Sequence, residues 1–184
     1  MDSLVGWAAC KSAGLLNGLG DRWLHVQGVV AKARWVSATF EGDDRDHLEA
    51  AAYLHDVGHA PPLHDTGLHQ LDGARYVRSF GHERLAGLVA HHSESRYELC
   101  LRGFSKQLED YPRERSEVAA ALTYCDLTTG PTGSPVEFRD RLAEVVERYG
   151  EDTVVAKALR LATPDLARAV VATTDRLRRF GLVA

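Results

Sequence analysis

The spacing of apolar residues restricts this chain to helices. They recur three or four positions apart along almost all of its length, and no two segments alternate as paired strands would. The predicted helices cover residues 3–17, 21–40, 43–58, 69–80, 82–92 and 116–128. Glycine and proline make 59–68 a predicted loop, and 93–112 is expected to be irregular with short helical turns. The chain should therefore have an all-α fold.

Capping residues indicate where several helices begin. Asp21 and Ser116 each precede an apolar helical pattern. The segment 134–137 (Ser-Pro-Val-Glu) has the spacing of a capping box with proline at the first helical position, and 163–165 (Thr-Pro-Asp) repeats that arrangement. These two segments predict the starts of the last two helices.

The length of 184 residues suits one well-buried domain and is short for two. Only the short segment 129–134 resembles a linker. We therefore predict a single compact helical domain over residues 1–184, with a core at about 21–130 and accessory helices at about 135–184.

Charge and composition exclude several classes of protein. A net charge of −4 argues against a general nucleic-acid binder. The three cysteines form no Cys-x-x-Cys pair, and their odd number does not suggest a disulfide framework. No apolar run approaches the roughly 20 residues that a membrane span needs, and the segment 4–16 lacks the basic flank of a signal peptide. We expect a cytoplasmic protein that binds neither nucleic acid nor membrane.

The adjacent pair His55-Asp56 offers an imidazole nitrogen and a carboxylate oxygen to one cation. Successive residues within a helix point about 100° apart, so neighbours cannot face the same point from its middle. Gly58 ends the third predicted helix just after the pair, where this constraint is relaxed. The position of the pair is therefore compatible with a shared metal.

Two further residues extend this hypothesis. His25 lies in the middle of a helix, and Gly28, one turn later on the same face, would let another backbone approach. Asp126 ends an apolar helix, where a carboxylate is costly to bury unless it is paired. From periodicity alone, a solvent-facing Asp126 is an equal alternative.

With His25, His55, Asp56 and Asp126 in this order, residues 21–130 resemble the HD-domain metal-dependent phosphohydrolase superfamily. The resemblance implies that these four residues ligate a divalent metal.

Two further histidines resemble those of the dinuclear branch of that superfamily. His69 lies four residues before Gly-Ala, and the next position falls at His92, with His91 as the alternative. In that branch, Asp56 would bridge two metals. The alternative is a mononuclear site in which His69 and His92 bind phosphate.

The loop after the doublet contains His59 and His64 and is similar to a loop of deoxynucleotide triphosphohydrolases. That likeness implies that Asp56, His59 and His64 are catalytic, the two histidines binding phosphate or protonating a leaving group. Ordinary loop histidines are an equal alternative. Arg75 and Arg96 are candidate phosphate ligands.

The resemblance implies hydrolysis of a phosphate ester or anhydride in a nucleotide or other small phosphorylated metabolite. The cofactors would be two divalent ions chosen from Fe, Mn, Ni, Co and Mg, which activate water. Some dinuclear HD-domain proteins with similar ligands are instead mixed-valence diiron oxygenases that cleave C–C or C–P bonds. A non-catalytic helical module stabilised by metal is the third alternative.

Overall fold

The computed structural model describes residues 3–183, which form α-helices joined by turns and short 3-10 segments. The first five α-helices are α1 (Leu4–Leu16), α2 (Asp21–Ser37), α3 (Gly42–Leu54), α4 (His69–Arg78) and α5 (Glu83–His91). The other five are α6 (Arg96–Leu101), α7 (Ser105–Glu109), α8 (Glu117–Leu127), α9 (Phe138–Tyr149) and α10 (Val154–Arg179). Within this part of the chain no strand forms, and Thr129 and Pro135 make one isolated bridge. The predicted all-α fold with C-terminal helices is confirmed.

Helix α3 lies at the centre of the fold, in contact with α1, α2, α5 and α8. Its buried face includes Leu48, Leu54 and the run of alanines 50–52, all of them fully buried. The alanines let neighbouring helices approach closely, because no larger side chain holds them apart. The C-terminal end of α3 is therefore enclosed by other helices.

Two glycines allow close backbone approaches that position this end of α3. A Cβ atom on Gly58 would lie 2.0 Å from the carbonyl oxygen of His69. A Cβ atom on Gly28 would lie 2.3 Å from the carbonyl oxygen of Gly133. Both distances are too short for any side chain, so the 3-10 turn Val57–His59 packs on α4 and the segment around Gly133 packs on α2. The predicted close approach at Gly28 is confirmed.

Two predicted helix starts are wrong. Helix α9 begins at Phe138 rather than within 134–137, because Pro135 and Val136 pair with Thr129 and Thr128 in a turn. Helix α10 begins after Thr153, whose hydroxyl accepts a hydrogen bond from the backbone N–H of Ala156. It continues through Pro164, since the buried face formed by Ala162 and Leu166 stays in helical register across the proline.

Of the other predicted boundaries, the cap of α8 is confirmed, but the cap of α2 is wrong and α3 ends at Leu54 rather than at Gly58. The hydroxyl of Ser116 caps α8 by accepting from the N–H of Ala119, whereas Asp21 is the first residue of α2 and Gly20 occupies the cap position. The predicted irregular region 93–112 contains only the short helices α6 and α7.

Helices α9 and α10 pack on each other, and α10 also lies along α6 and α8. That the chain forms a single domain stays a prediction, and residues 1, 2 and 184 lie outside the described part. No helix among the described residues combines the length and the apolar character that crossing a membrane requires.

Candidate metal centre

Five helices bring the predicted ligands together, four of them at or near an end. His25 projects from α2, His55 and Asp56 follow α3 directly, and His69 begins α4. His92 follows α5, and Asp126 lies in the last turn of α8. All are buried except His69, whose side chain is 23% exposed. The alternative of a solvent-facing Asp126 is therefore wrong.

One part of this cluster, the His25 half-site, consists of His25, His55, Asp56 and Asp126. The ligand atoms of the first three lie within 4.8 Å of one another. The Nε2 atom of His25 lies 3.1 Å from Asp126 Oδ1, and the Nε2 atom of His55 lies 3.5 Å from Asp56 Oδ2.

The other part, the His69 half-site, consists of Asp56, His69 and His92, whose ligand atoms also lie within 4.8 Å of one another. The Nε2 atom of His69 is 3.4 Å from Asp56 Oδ1 and 3.3 Å from His92 Nε2. The two carboxylate oxygens of Asp56 thus face different half-sites, Oδ2 toward His55 and Oδ1 toward His69.

Backbone carbonyls fix the orientation of three imidazoles. The Nδ1–H groups donate to carbonyl oxygens: His25 to Gly130 at 3.0 Å, His55 to Ala52 at 2.9 Å and His92 to Val89 at 2.6 Å. In the rings of His55 and His92, this leaves the lone pair on Nε2, on the side of the cluster, whereas the Nε2 atom of His25 lies against the carboxylate of Asp126. Such hydrogen bonds typically orient metal-ligating histidines.

The strongest sign that a cation fits here is the Nε2 atom of His55. This atom is buried and has no hydrogen-bond partner among the described residues. An unsatisfied buried acceptor is costly, and a coordinated metal would satisfy it. The donor set of imidazoles and carboxylates suits divalent transition metals.

The two carboxyl groups are ionised in this environment. Burial alone would raise the pKa of Asp56, but the charge of Arg22 and the surrounding imidazoles together outweigh it and hold the pKa well below its usual value. Burial is likewise outweighed at Asp126, where the hydrogen bond from His25 lowers the pKa. Both groups are therefore in the form that binds metal.

Most of the imidazoles are neutral. Burial lowers the pKa of His55 and, together with the neighbouring ring of His59, lowers that of His69 well below its usual value. Burial also lowers the pKa of His59 to about 4. His25 differs: burial alone would lower its pKa, but the hydrogen bond to Asp126 and the negative charges of Asp126 and Asp56 together outweigh it and raise the pKa.

Two residues near the cluster were missed from the sequence. The guanidinium of Arg22 donates to Asp56 Oδ2 at 2.5 Å. Arg22 lies one helical turn before His25 on the same face of α2, and this spacing could have indicated that it lies near the cluster. The hydroxyl of Ser93 donates to Asp126 Oδ2 at 2.5 Å, and Ser93 reaches this position with a left-handed backbone (φ +48°).

The structure separates the two histidine alternatives after α5. His92 lies within the cluster, whereas the Nε2–H of His91 donates to the carbonyl oxygen of Tyr111 at 2.7 Å. His59 is also brought to the cluster, with its ring stacked on that of His69 at 4.0 Å between centroids and its Nε2 3.6 Å from Asp56 Oδ1.

Three predicted residues lie away from the cluster. His64 is exposed and donates to the carbonyl oxygen of His59. Arg75 is half exposed and pairs with Asp65. Arg96 lines a neighbouring pocket, where it pairs with Glu94 and Asp165. Each arginine already has a carboxylate partner, and neither lines the pocket into which the cluster opens.

The cluster opens into a pocket of about 320 Å³. Its polar end contains Arg22, Asp56, His59, His69, His92 and Asp126. The opposite wall is made by residues of α9 and α10. The volume is at the lower end of the range for small-molecule sites, about 300–1,000 Å³.

Comparison with known proteins agrees with this geometry. No curated protein and no solved structure matches the chain significantly. The model of the HD domain family matches residues 22–130, which contain the whole histidine and aspartate cluster and cover more than half of the chain. HD domains bind divalent metals and form a superfamily of metal-dependent hydrolases. The chain belongs to the HD domain family.

Proposed function

We propose that the protein is a phosphohydrolase that cleaves a phosphate ester or anhydride of a nucleotide or other small phosphorylated metabolite. The observation that carries this proposal is the position of Asp56. Its two oxygens face two groups of imidazole nitrogens at the end of a pocket large enough for a small molecule.

Two divalent ions would be held, one by each half-site, with Asp56 shared between them. Fe, Mn, Ni, Co and Mg are the candidates for this mixed set of ligands. When bound, such ions supply a water of lowered pKa and neutralise the oxygens of a phosphoryl group.

The surrounding side chains have separate tasks in this proposal. Arg22 orients Asp56 and presents its remaining N–H groups to phosphate, which a guanidinium matches well. His59, with a pKa of about 4, is neutral at pH 7, so its Nε2 can contact a bound water or phosphate without adding charge to the site. His64 positions His59 through its hydrogen bond to the His59 carbonyl oxygen.

The proposal is tested by measuring phosphate release from a panel of phosphorylated metabolites, using metal-free protein reloaded with each candidate metal. His25→Ala, His55→Ala and Asp56→Ala should each abolish turnover. His47→Ala, at a histidine bonded to its own helix, is the matched control and should retain it.

Turnover that survives all three substitutions would contradict the metal site. Oxygen consumption by aerobically purified protein with a paramagnetic iron signal, without phosphate release, would point instead to the diiron oxygenase. Tight metal binding with no turnover of any kind would leave a metal-stabilised helical module.

A further inference from the structure

The C-terminal helices complete the pocket, although they lie outside the segment that matches the HD domain family. Helix α9 contributes Arg141, Val145, Arg148 and Tyr149, and α10 contributes Val155, Ala158, Leu159 and Ala162. The wall opposite the histidines therefore combines positive charge with apolar surface.

Arg141 is the unusual member of this wall. Its side chain is only 7% exposed, and its Nε atom is buried with no hydrogen-bond partner among the described residues. One of its other nitrogens pairs with Glu144, and Arg148 pairs with the second oxygen of that same carboxylate. Two guanidiniums thus share one negative charge, which leaves a net positive charge beside the pocket.

The other charged groups of the pocket are already paired. Glu94 is held by Arg96 and Arg113, and Glu98 is held by Arg102. Asp56 and Asp126 belong to the half-sites. Arg22 and Arg141 line the same pocket and also border a second cavity together, so both lie next to the polar end.

Apart from the phenol of Tyr149, apolar side chains cover the rest of the wall. Val145 and Leu159 are half-buried, and Ala158 and Ala162 are small enough to leave a shallow floor between the two helices. A hydroxyl-rich or charged group placed here would lose water without gaining partners, whereas an apolar group would be favoured.

We propose that the C-terminal helices select the substrate: an anionic phosphate lies between Arg22 and Arg141, and a compact apolar group rests against Val145 and Leu159. This inference rests on the proposed phosphohydrolase function and narrows its substrates to small phosphate esters with an apolar substituent. The pocket volume of about 320 Å³ leaves room for one such group.

Binding of two non-hydrolysable phosphonates tests the proposal. Phenylphosphonate and methylphosphonate share the anion and differ only in the apolar group. Titration calorimetry on the manganese-loaded protein should show phenylphosphonate binding at least about tenfold more tightly, since a phenyl ring buries more apolar surface.

Single substitutions test the contributions of the charged and the apolar part of the wall separately. Arg141→Gln should weaken both phosphonates by about tenfold or more, because a buried charged donor is lost. Val145→Thr should weaken phenylphosphonate alone, by about threefold to tenfold. Arg139→Gln and Val146→Thr change neighbouring residues of α9 that do not line the pocket, and they should leave both affinities unchanged.

Folding of each variant is checked by its thermal unfolding. If Arg141→Gln does not fold, Arg148→Gln at an exposed position replaces it and should weaken both phosphonates by a smaller factor. Equal affinities for the two phosphonates, or binding that is unaffected in both arginine variants, would overturn the inference. Phosphate release measured on the same samples tests the proposed function separately: turnover without selectivity contradicts only the inference, and selective binding without turnover contradicts only the hydrolase.

Discussion

The two half-sites share Asp56 but differ in one histidine, because His92 is buried and held by a backbone carbonyl as His25 and His55 are, whereas His69 is not. The rings of His25 and His55 are at most 2% exposed, and each is fixed by a backbone carbonyl. His69 is 23% exposed, faces the pocket and has no such carbonyl partner among the described residues. We infer that the His25 half-site retains its metal, whereas the His69 half-site exchanges metal more readily and meets the substrate.

The largest effect is expected from a substitution that removes the shared ligand. Asp56→Asn keeps the shape of the side chain but withdraws the negative charge that both half-sites need, so both metals should bind weakly. Phosphate release should fall by more than about 100-fold, beyond the effect of losing a residue that only supports a ligand. Asp46→Asn, an exposed position of α3, is the control and should retain metal and turnover. Near-normal metal content in Asp56→Asn would show that the half-sites do not depend on this carboxylate.

Substitutions within single half-sites should give unequal results. His69→Ala should retain one tightly bound metal per chain, whereas the metal left in His55→Ala should be removed by simple dialysis. His55→Ala should abolish turnover, and His69→Ala should lower it by more than about tenfold, because each half-site contributes to the reaction. Elemental analysis before and after dialysis measures the difference.

His92→Ala should behave as His69→Ala does, and His91→Ala should retain both metals, since His91 is bonded to Tyr111 outside the cluster. The reverse result would exchange the roles of the two neighbouring histidines. Identical metal retention in His69→Ala and His55→Ala would remove the difference between the half-sites.

Ser93 supports only the His25 half-site, through Asp126. Ser93→Ala should weaken metal binding there by about tenfold and leave the His69 half-site unchanged. Ser93→Gly should weaken metal binding equally. Its free energy of unfolding should nevertheless exceed that of Ser93→Ala by about 1 kcal/mol, because glycine adopts a φ of +48° without strain. Metal titration and denaturant unfolding of both variants test these two effects. Equal stability of the two variants would show that the left-handed turn stores no strain.

The smallest expected effect is a difference in pH dependence. The pKa of His25 is raised above its usual value, so a proton competes with metal at this ring, and the competition increases as the pH falls through that pKa. The pKa of His69 is well below its usual value, so its ring stays neutral. Between about pH 7.5 and pH 6, metal affinity should fall by roughly threefold more in His69→Ala, which keeps the His25 half-site, than in His55→Ala. If metal affinity fell equally with pH in the two variants, the proposed difference in proton competition between His25 and His69 would be contradicted.

The helical fold could be predicted from local pattern, whereas the six clustered residues were predicted from the resemblance to the HD-domain superfamily, with His91 as an alternative to His92. Apolar spacing indicates helices, and a distinct doublet at a helix end indicates where ligands converge. The position of Arg22 near the cluster could also have been predicted, since it lies one helical turn before His25.

Other features depend on packing between distant segments. Nothing near Arg141 in the sequence indicates that it is buried, because its environment forms only when α9 lies over the pocket. The segment 134–137 has a good local capping pattern, yet pairing with Thr128 and Thr129 holds it in a turn. Pro164 likewise suggests a helix start, but the continuous buried face of α10 outweighs the one helical hydrogen bond that proline cannot make.

The central claim is that Asp56 joins two metals in one reactive centre. Adding manganese stepwise to metal-free wild-type protein while measuring phosphate release tests it directly. We expect little turnover during the first equivalent per chain, as the His25 half-site fills, and a rise to a plateau at two equivalents. A plateau at one equivalent, or turnover without added metal, would contradict the account.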